Sequence, residues 1–142
     1  MNGVTDPMTP EQSKAQVIDA AKDVSRAVAQ PVVAANFSHS GCSDGGEPPF
    51  HGVVNIFYAA PTDPAAASAA YDEIAQRLQA AGWAADGDFK THGSALRKNN
   101  VDAVLYRASV DVPKINIVLS GECRDMTTTK AQAGIDEEIT LP

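Results

Sequence analysis

Two cysteines are the residues of this chain that are best suited to chemistry. Cys42 and Cys123 could form a disulfide, remain as two buried thiols, or supply half of a metal site. Each cysteine lies at the polar end of an apolar, strand-like run, formed by residues 32–37 before Cys42 and by residues 115–119 before Cys123. Because strand ends within one sheet can approach closely, this placement favours a disulfide between Cys42 and Cys123.

A disulfide of this span would contribute much of the stability of a small domain. It would close a loop of about 80 residues and remove denatured-state entropy worth about 4–5 kcal/mol. Disulfides persist outside the reducing cytosol, so we expect an extracytoplasmic protein, either secreted or in the cell envelope. Residues 1–10 lack the basic and apolar regions of a signal peptide. We therefore interpret residues 1–7 as an engineered start on a mature secreted chain, or on a lipoprotein cut free of its lipidated cysteine.

Two histidines lie near Cys42 in the sequence and suggest two other possibilities, a zinc site and an activated cysteine thiol. His39, Cys42, His51 and Cys123 are all legal zinc ligands, but their spacing matches no compact zinc motif. His39 lies three residues before Cys42 and could activate a thiol there, provided that Cys42 is free. We interpret His39 and His51 as solvated loop residues and predict no metal ligand.

The remaining catalytic patterns are weak. Gly45 and Gly46 lack the spaced glycines and the lysine of a nucleotide-binding loop, and no serine has a G-x-S-x-G elbow. The acidic residues that could pair in a glycosidase-type or calcium site are Asp72, Glu73, Asp86, Asp88, Asp136, Glu137 and Glu138. They lie on a helix face, in a turn and in the C-terminal tail, which indicates that their side chains are exposed to solvent. We predict no catalytic residue, no cofactor and no enzyme.

The charge balance excludes some partners. The 142 residues include 11 Lys and Arg against 18 Asp and Glu, a net charge of −7 that opposes binding to nucleic acid and to anionic lipid. No run approaches the roughly 18 apolar residues of a membrane span. We expect a monomer that meets the membrane only through a lipid anchor missing from this chain.

Residue patterns predict two helices and five strands. The first helix begins at Thr9 and Pro10 with a capping box to Gln12 and is stopped by Pro31, and the second runs from Asp63 to Gly82. Trp83, directly after Gly82, is interpreted as a core residue that folds back on the helix end. The predicted strands are residues 32–37, 53–59, 94–98, 101–110 and 114–122, with a weak last strand or plain tail at 135–141.

This order, α-β-β-α-β-β-β, predicts the α+β class. Consecutive strands joined by short turns pair antiparallel, so we expect two helices packed on one face of a four- or five-stranded, mainly antiparallel sheet. Residues 1–8 would be a disordered or engineered N-terminus and residues 9–125 a single domain. Residues 126–142 would form an acidic C-terminal tail that can include a last short strand.

Several segments resemble a known family. They are a capped helix that begins T-P-E-Q at Thr9, the cysteine after the first strand, a helix that ends A-A-G-W at Trp83, and the final strand I-N-I-V-L-S-G-E-C at residues 115–123. Together they resemble small actinobacterial, especially mycobacterial, cell-envelope lipoproteins of the LppA-like type. The likeness spans most of residues 9–124. It implies an exported protein and assigns no functional residue.

These observations predict a non-enzymatic, exported or envelope-associated domain that binds a protein or an apolar small molecule. The small alanines of the second helix, at residues 65–70, 80 and 81, would leave an apolar groove over the sheet. Two alternatives stay open. One is a hydrolase or zinc enzyme whose site is assembled from distant residues such as His39, Cys42 and His51. The other is a scaffold or immunity-type inhibitor of a basic partner.

Overall fold

The computed structural model describes residues 6–43, 45–85 and 94–142. The helices in these ranges are α1 (Pro10–Val28) and α2 (Pro64–Ala80). The strands are β1 (Ala34–Gly41), β2 (Phe50–Ala59), β3 (Ala84–Ala85), β4 (Ser94–Lys98), β5 (Val101–Tyr106), β6 (Lys114–Ser120) and β7 (Glu137–Glu138). The predicted turn with Asp86 and Asp88 lies outside the described residues, as do residues 1–5.

One antiparallel sheet with the strand order β3-β4-β5-β6-β2-β1-β7 organises the described residues. The predicted α+β class and antiparallel pairing are confirmed. The predicted number of four or five strands is wrong, because the described part of the chain forms seven. Strand β7 lies within the weak last strand predicted at 135–141. Strand β3 was not predicted, because its two residues are too few to show an alternating sequence pattern.

The first helix begins where its sequence predicts. Thr9 Oγ1 accepts a hydrogen bond from the Gln12 amide at 3.1 Å, and Gln12 Oε1 accepts one from the Thr9 amide at 2.9 Å. This capping box satisfies two amides that a helix start leaves without partners. The helix ends at Val28, ahead of the predicted stop at Pro31, because Ala29 turns into the left-handed region with φ of 54°.

Both helices bury their apolar faces in one core on the same side of the sheet. The buried residues of α1 and α2 in this core are Val17, Ala21, Val24, Val28, Tyr71, Ile74 and Leu78. Alternate residues of β2 pack against these helix residues from the sheet, namely Val54, Ile56 and Tyr58. The intervening side chains of β2 lie half-buried on the opposite face of the sheet. The hydrophobic period of two therefore sets which face of β2 the helices cover.

Two glycines allow α1 to lie directly on the sheet. A Cβ atom added at Gly52 would lie 2.6 Å from the Ser13 carbonyl oxygen and 2.8 Å from Val17 Cγ2. One added at Gly121 would lie 2.6 Å from Gln16 Oε1. A side chain at Gly52 would push the helix away because it would meet backbone, whereas one at Gly121 would first displace the flexible Gln16 side chain. The close contact of α1 with the beginning of β2 therefore depends on glycine at position 52.

Several predicted strand limits are corrected. The strand predicted at residues 32–37 is β1, which starts at Ala34 and continues through polar residues to Gly41, paired with β2 from Phe57 back to Phe50. The strand predicted at 53–59 therefore starts earlier, at Phe50. Those predicted at 101–110 and 114–122 end earlier, at Tyr106 and Ser120. Backbone pairing continues wherever a neighbouring strand is present, whatever the polarity of the side chains.

Candidate functional site

The two cysteines meet at one edge of the sheet because of its strand order. Strands β1 and β6 both pair antiparallel with β2, so they run parallel to each other and end at the same edge. Cys42 follows β1 directly and Cys123 lies shortly after β6. In the structure they form a disulfide, with Cα atoms 6.2 Å apart and a separation of 81 positions in sequence. The disulfide thus crosses the beginning of β2.

His51 lies beside this disulfide. It is the second residue of β2 and its side chain lies on the face opposite the helices, where Nδ1 is 3.1 Å from the Gly121 carbonyl oxygen. A ring nitrogen of His51 and the Sγ atoms of Cys42 and Cys123 all lie within 4.8 Å of one another. Both cysteines are exposed and His51 is half-buried. Burial lowers the pKa of His51, and the contact with Gly121 opposes that shift only in part.

His39 lies on the other side of the sheet. It pairs with Gly52 in the β1–β2 ladder, and its ring makes an edge contact with the inward-facing Phe37 at 4.9 Å between centroids. Its Nε2 atom is 3.1 Å from the Pro10 carbonyl oxygen. The four-residue zinc set considered from the sequence is therefore split by the sheet. The interpretation of both histidines as solvated loop residues is also wrong, since each lies in a strand and is half-buried.

Trp83 is a core residue, as predicted. Only 1% of its surface is exposed, and its amide donates to the Leu78 carbonyl in the turn where Gly82 has φ of 102°. Its Nε1 donates to Asp23 Oδ2 at 3.0 Å, and Lys98 Nζ approaches the same oxygen at 2.9 Å. Burial raises the pKa of Asp23, but the hydrogen bonds of Lys98 and Trp83, together with the charges of Lys98 and Arg26, lower it below its ordinary value. This polar cluster ties α1 to the end of α2 and to β4.

Asp125 is a buried carboxylate that the sequence patterns did not predict. Asp125 is fully buried, and its Oδ1 accepts hydrogen bonds from the amides of Thr127 at 2.9 Å and Thr128 at 3.0 Å. Its backbone also pairs with Phe50 at the start of β2. Burial raises the pKa of Asp125, but the hydrogen bonds from Thr128 and Thr127 lower it to a net value below the ordinary one. An aspartate followed at two and three positions by threonine is a local capping pattern that could have revealed it.

An apolar cleft of about 340 Å³ lies at the beginning of α2. Its walls are the segment before the helix, the first turns of the helix and the loop between β5 and β6, and the lining residues are Pro61, Thr62, Pro64, Ala67, Ala108, Ser109, Val110 and Pro113. We call this the apolar cleft. Of the alanines predicted to form a groove, Ala67 lines it, whereas Ala70 and Ala81 pack against the core.

The loop that borders the apolar cleft is held in one conformation. The Ser109 amide donates to the Val112 carbonyl at 2.8 Å, and the Val112 amide donates to Ser109 Oγ at 3.0 Å. Arg107 lies over the ring of Tyr71 on α2, with Cζ 4.1 Å from its centroid. These contacts leave Val110 at the loop tip with 100% of its surface exposed.

Fold and site together define a small, acidic, disulfide-bonded α+β domain that carries an apolar cleft. The chain belongs to the family described as "Putative lipoprotein LppJ", whose model matches residues 9–142. The predicted resemblance to mycobacterial lipoproteins is confirmed, with LppJ as the family that matches. No solved structure matches the chain significantly. Neither described helix is long and apolar enough to cross a membrane.

Three relatives carry the same description. They come from Mycobacterium tuberculosis strains CDC 1551 / Oshkosh and H37Rv and from Mycobacterium bovis strain AF2122/97, and each is 34% identical to this chain over 128 residues. The match covers 85% of this chain and 64% of each relative. The chain therefore spans less than two thirds of the length of these curated relatives.

Proposed function

We propose that this domain is a non-enzymatic, extracytoplasmic binding domain of the cell envelope, and that the apolar cleft receives apolar side chains of a partner protein. Membership of a lipoprotein family supports the envelope location. The observation that carries the binding role is the fully exposed Val110 beside the apolar cleft, on a loop fixed by its own hydrogen bonds. A preordered apolar contact loses little conformational entropy when a partner binds.

The shape of the apolar cleft favours a protein partner over a small molecule. Its volume of about 340 Å³ is near the lower end for small-ligand sites, which usually bury most of the ligand. Val110 lines the apolar cleft but is 100% exposed, and Val112 in the same loop is 50% exposed, so a small ligand in the apolar cleft would leave much of this apolar surface in water. A protein surface could cover the two valines and the apolar cleft together.

Three of the acidic residues considered for a paired carboxylate site lie beside basic side chains instead. Glu73 pairs with Arg77 on α2 at 2.7 Å, and Glu137 pairs with Lys14 of α1 at 2.7 Å. Asp72 lies 3.9 Å from Arg107. These pairs are exposed, and none of their carboxylates lines the apolar cleft. Each carboxylate therefore has a structural or solubilising role in this proposal.

Site-specific photo-crosslinking tests the proposed interface. A photoreactive phenylalanine analogue replaces Val110, and the purified protein is irradiated with a detergent extract of the source bacterium's envelope. We expect one discrete crosslinked protein, identified by mass spectrometry, since Val110 would lie inside the interface. Ala67→Arg, which places a charge in the apolar cleft, should remove that product without lowering the melting temperature, because Ala67 is not part of the main core.

The matched control places the same analogue at Val33, which is 49% exposed and does not line the apolar cleft. Equal crosslinking from Val33 and Val110, or an undiminished product with Ala67→Arg, would contradict the proposed interface. The small-molecule alternative is tested by titrating the protein with an apolar fragment and following the apolar cleft by NMR. Saturable binding of the fragment, together with no crosslinked protein from Val110, would assign the site to small molecules instead.

A further inference from the structure

The cluster of Cys42, His51 and Cys123 has a geometry that the proposed binding function does not use. Three segments contribute to it: the end of β1, the beginning of β2 and the loop after β6. Their potential ligand atoms lie within 4.8 Å of one another, although the residues are far apart in sequence. Two thiolates and an imidazole are a ligand set that suits zinc and other thiophilic cations.

We propose that reduction of the Cys42–Cys123 disulfide creates a binding site for one thiophilic divalent cation, with Cys42, Cys123 and His51 as its three protein ligands. In the oxidised domain both sulfur atoms belong to the disulfide, so neither is a thiolate that can bind a cation. The site is independent of the apolar cleft, which is formed by different segments of the chain.

The chemical step balances with a dithiol as the reductant. The dithiol gives two electrons and two protons to the disulfide, which breaks the S–S bond and leaves two thiols, while the dithiol itself becomes a disulfide. The cation then displaces both thiol protons and binds two thiolates and a histidine nitrogen. A water molecule would complete a four-coordinate shell, as in open zinc sites.

Two features of the structure support this step. Both cysteines are exposed, so a reductant and a hydrated cation can reach them, and exposed disulfides are the more easily reduced ones. The Gly121 carbonyl can only accept a hydrogen bond, so the 3.1 Å contact with His51 assigns the proton to Nδ1 and leaves the lone pair on Nε2. A hydrogen bond from the second ring nitrogen to a carbonyl is the usual way in which a histidine ligand is oriented.

The sheet itself keeps the three ligands together after reduction. His51 is fixed by the pairing of β2 with β1, where it lies opposite Ser40. Gly121 donates its amide to the Gly52 carbonyl at 3.0 Å and holds the segment before Cys123 against β2. The Cα atoms of the two cysteines, 6.2 Å apart, are held by this backbone framework as well as by the disulfide.

Cobalt substitution is the direct test. The chain is reduced with a phosphine, separated from it by gel filtration without oxygen, and titrated with Co²⁺, which reports tetrahedral thiolate ligation by its absorption, and then with Zn²⁺ in competition. We expect one cation for each reduced chain and none for the oxidised chain. His51→Gln should weaken the affinity of the reduced chain by at least about tenfold.

The matched control is His39→Gln, which removes the histidine on the other side of the sheet and should leave the affinity unchanged. Cys123→Ser is a second variant that should abolish the thiolate absorption even if His51→Gln does not fold. Circular dichroism follows the fold of every reduced sample. The proposal is overturned if the reduced chain gives no tetrahedral spectrum, if His51→Gln binds as tightly as the wild-type chain, or if reduction unfolds the domain.

Discussion

At the scale of single residues, the buried carboxylate of Asp125 makes stability depend on pH. Its folded pKa lies below the ordinary value of 3.8, so its contribution is present above that value and is lost as the pH falls through the folded pKa. We expect Asp125→Asn to lower the free energy of unfolding by about 2 kcal/mol near neutral pH, because the charged hydrogen bonds to Thr127 and Thr128 are lost. Urea unfolding at about pH 7 and about pH 3 measures the difference, which should shrink at the lower pH.

Asp136→Asn is the control for this prediction. It changes the net charge by the same amount at an exposed position. A similar loss of stability in both variants would show that overall charge, rather than the hydrogen bonds of Asp125, sets the pH dependence.

At the scale of secondary-structure elements, the contact between α1 and β2 depends on Gly52. Its missing side chain leaves room for the Ser13 carbonyl, which would lie 2.6 Å from a Cβ atom and cannot move without shifting the helix. We expect Gly52→Ala to lower the free energy of unfolding by about 1–3 kcal/mol, measured by urea denaturation. Gly45→Ala should change it little, since the nearest atom to a new Cβ there is 3.6 Å away, on the flexible Glu47 side chain. Equal losses of stability in both variants would contradict the close packing of Ser13 on Gly52 as the cause.

At the scale of the whole molecule, the disulfide joins the strands on either side of β2 and closes a loop of 81 positions. Reduction, or replacement of both cysteines by serine, should lower the free energy of unfolding by about 4–5 kcal/mol. Small domains are stable by about 5–15 kcal/mol, so the reduced domain stays folded without denaturant only if the oxidised domain is more stable than the lower end of that range. Intact mass with and without alkylation, together with urea unfolding, measures both quantities. Two alkylated thiols in the untreated protein would contradict the disulfide.

The sequence by itself determined the features that depend on neighbouring residues. The capping box at Thr9, the alternation that buries one face of β2, and the turn from Gly82 into Trp83 all follow from local spacing and backbone preference. The same local patterns gave the α+β class. They failed for β3 and the polar half of β1, because such short or polar strands are specified by the neighbour with which they pair.

Only the tertiary structure decided which histidine lies beside the predicted disulfide. Because β2 lies between β1 and β6 in the sheet, its first residues place His51 beside Cys42 and Cys123. The same alternation puts His39 on the helix side, although it is closer to Cys42 in sequence. The local alternation separates the two faces of each strand, but it does not specify that β2 lies between β1 and β6, and this order is what places His51 beside the disulfide.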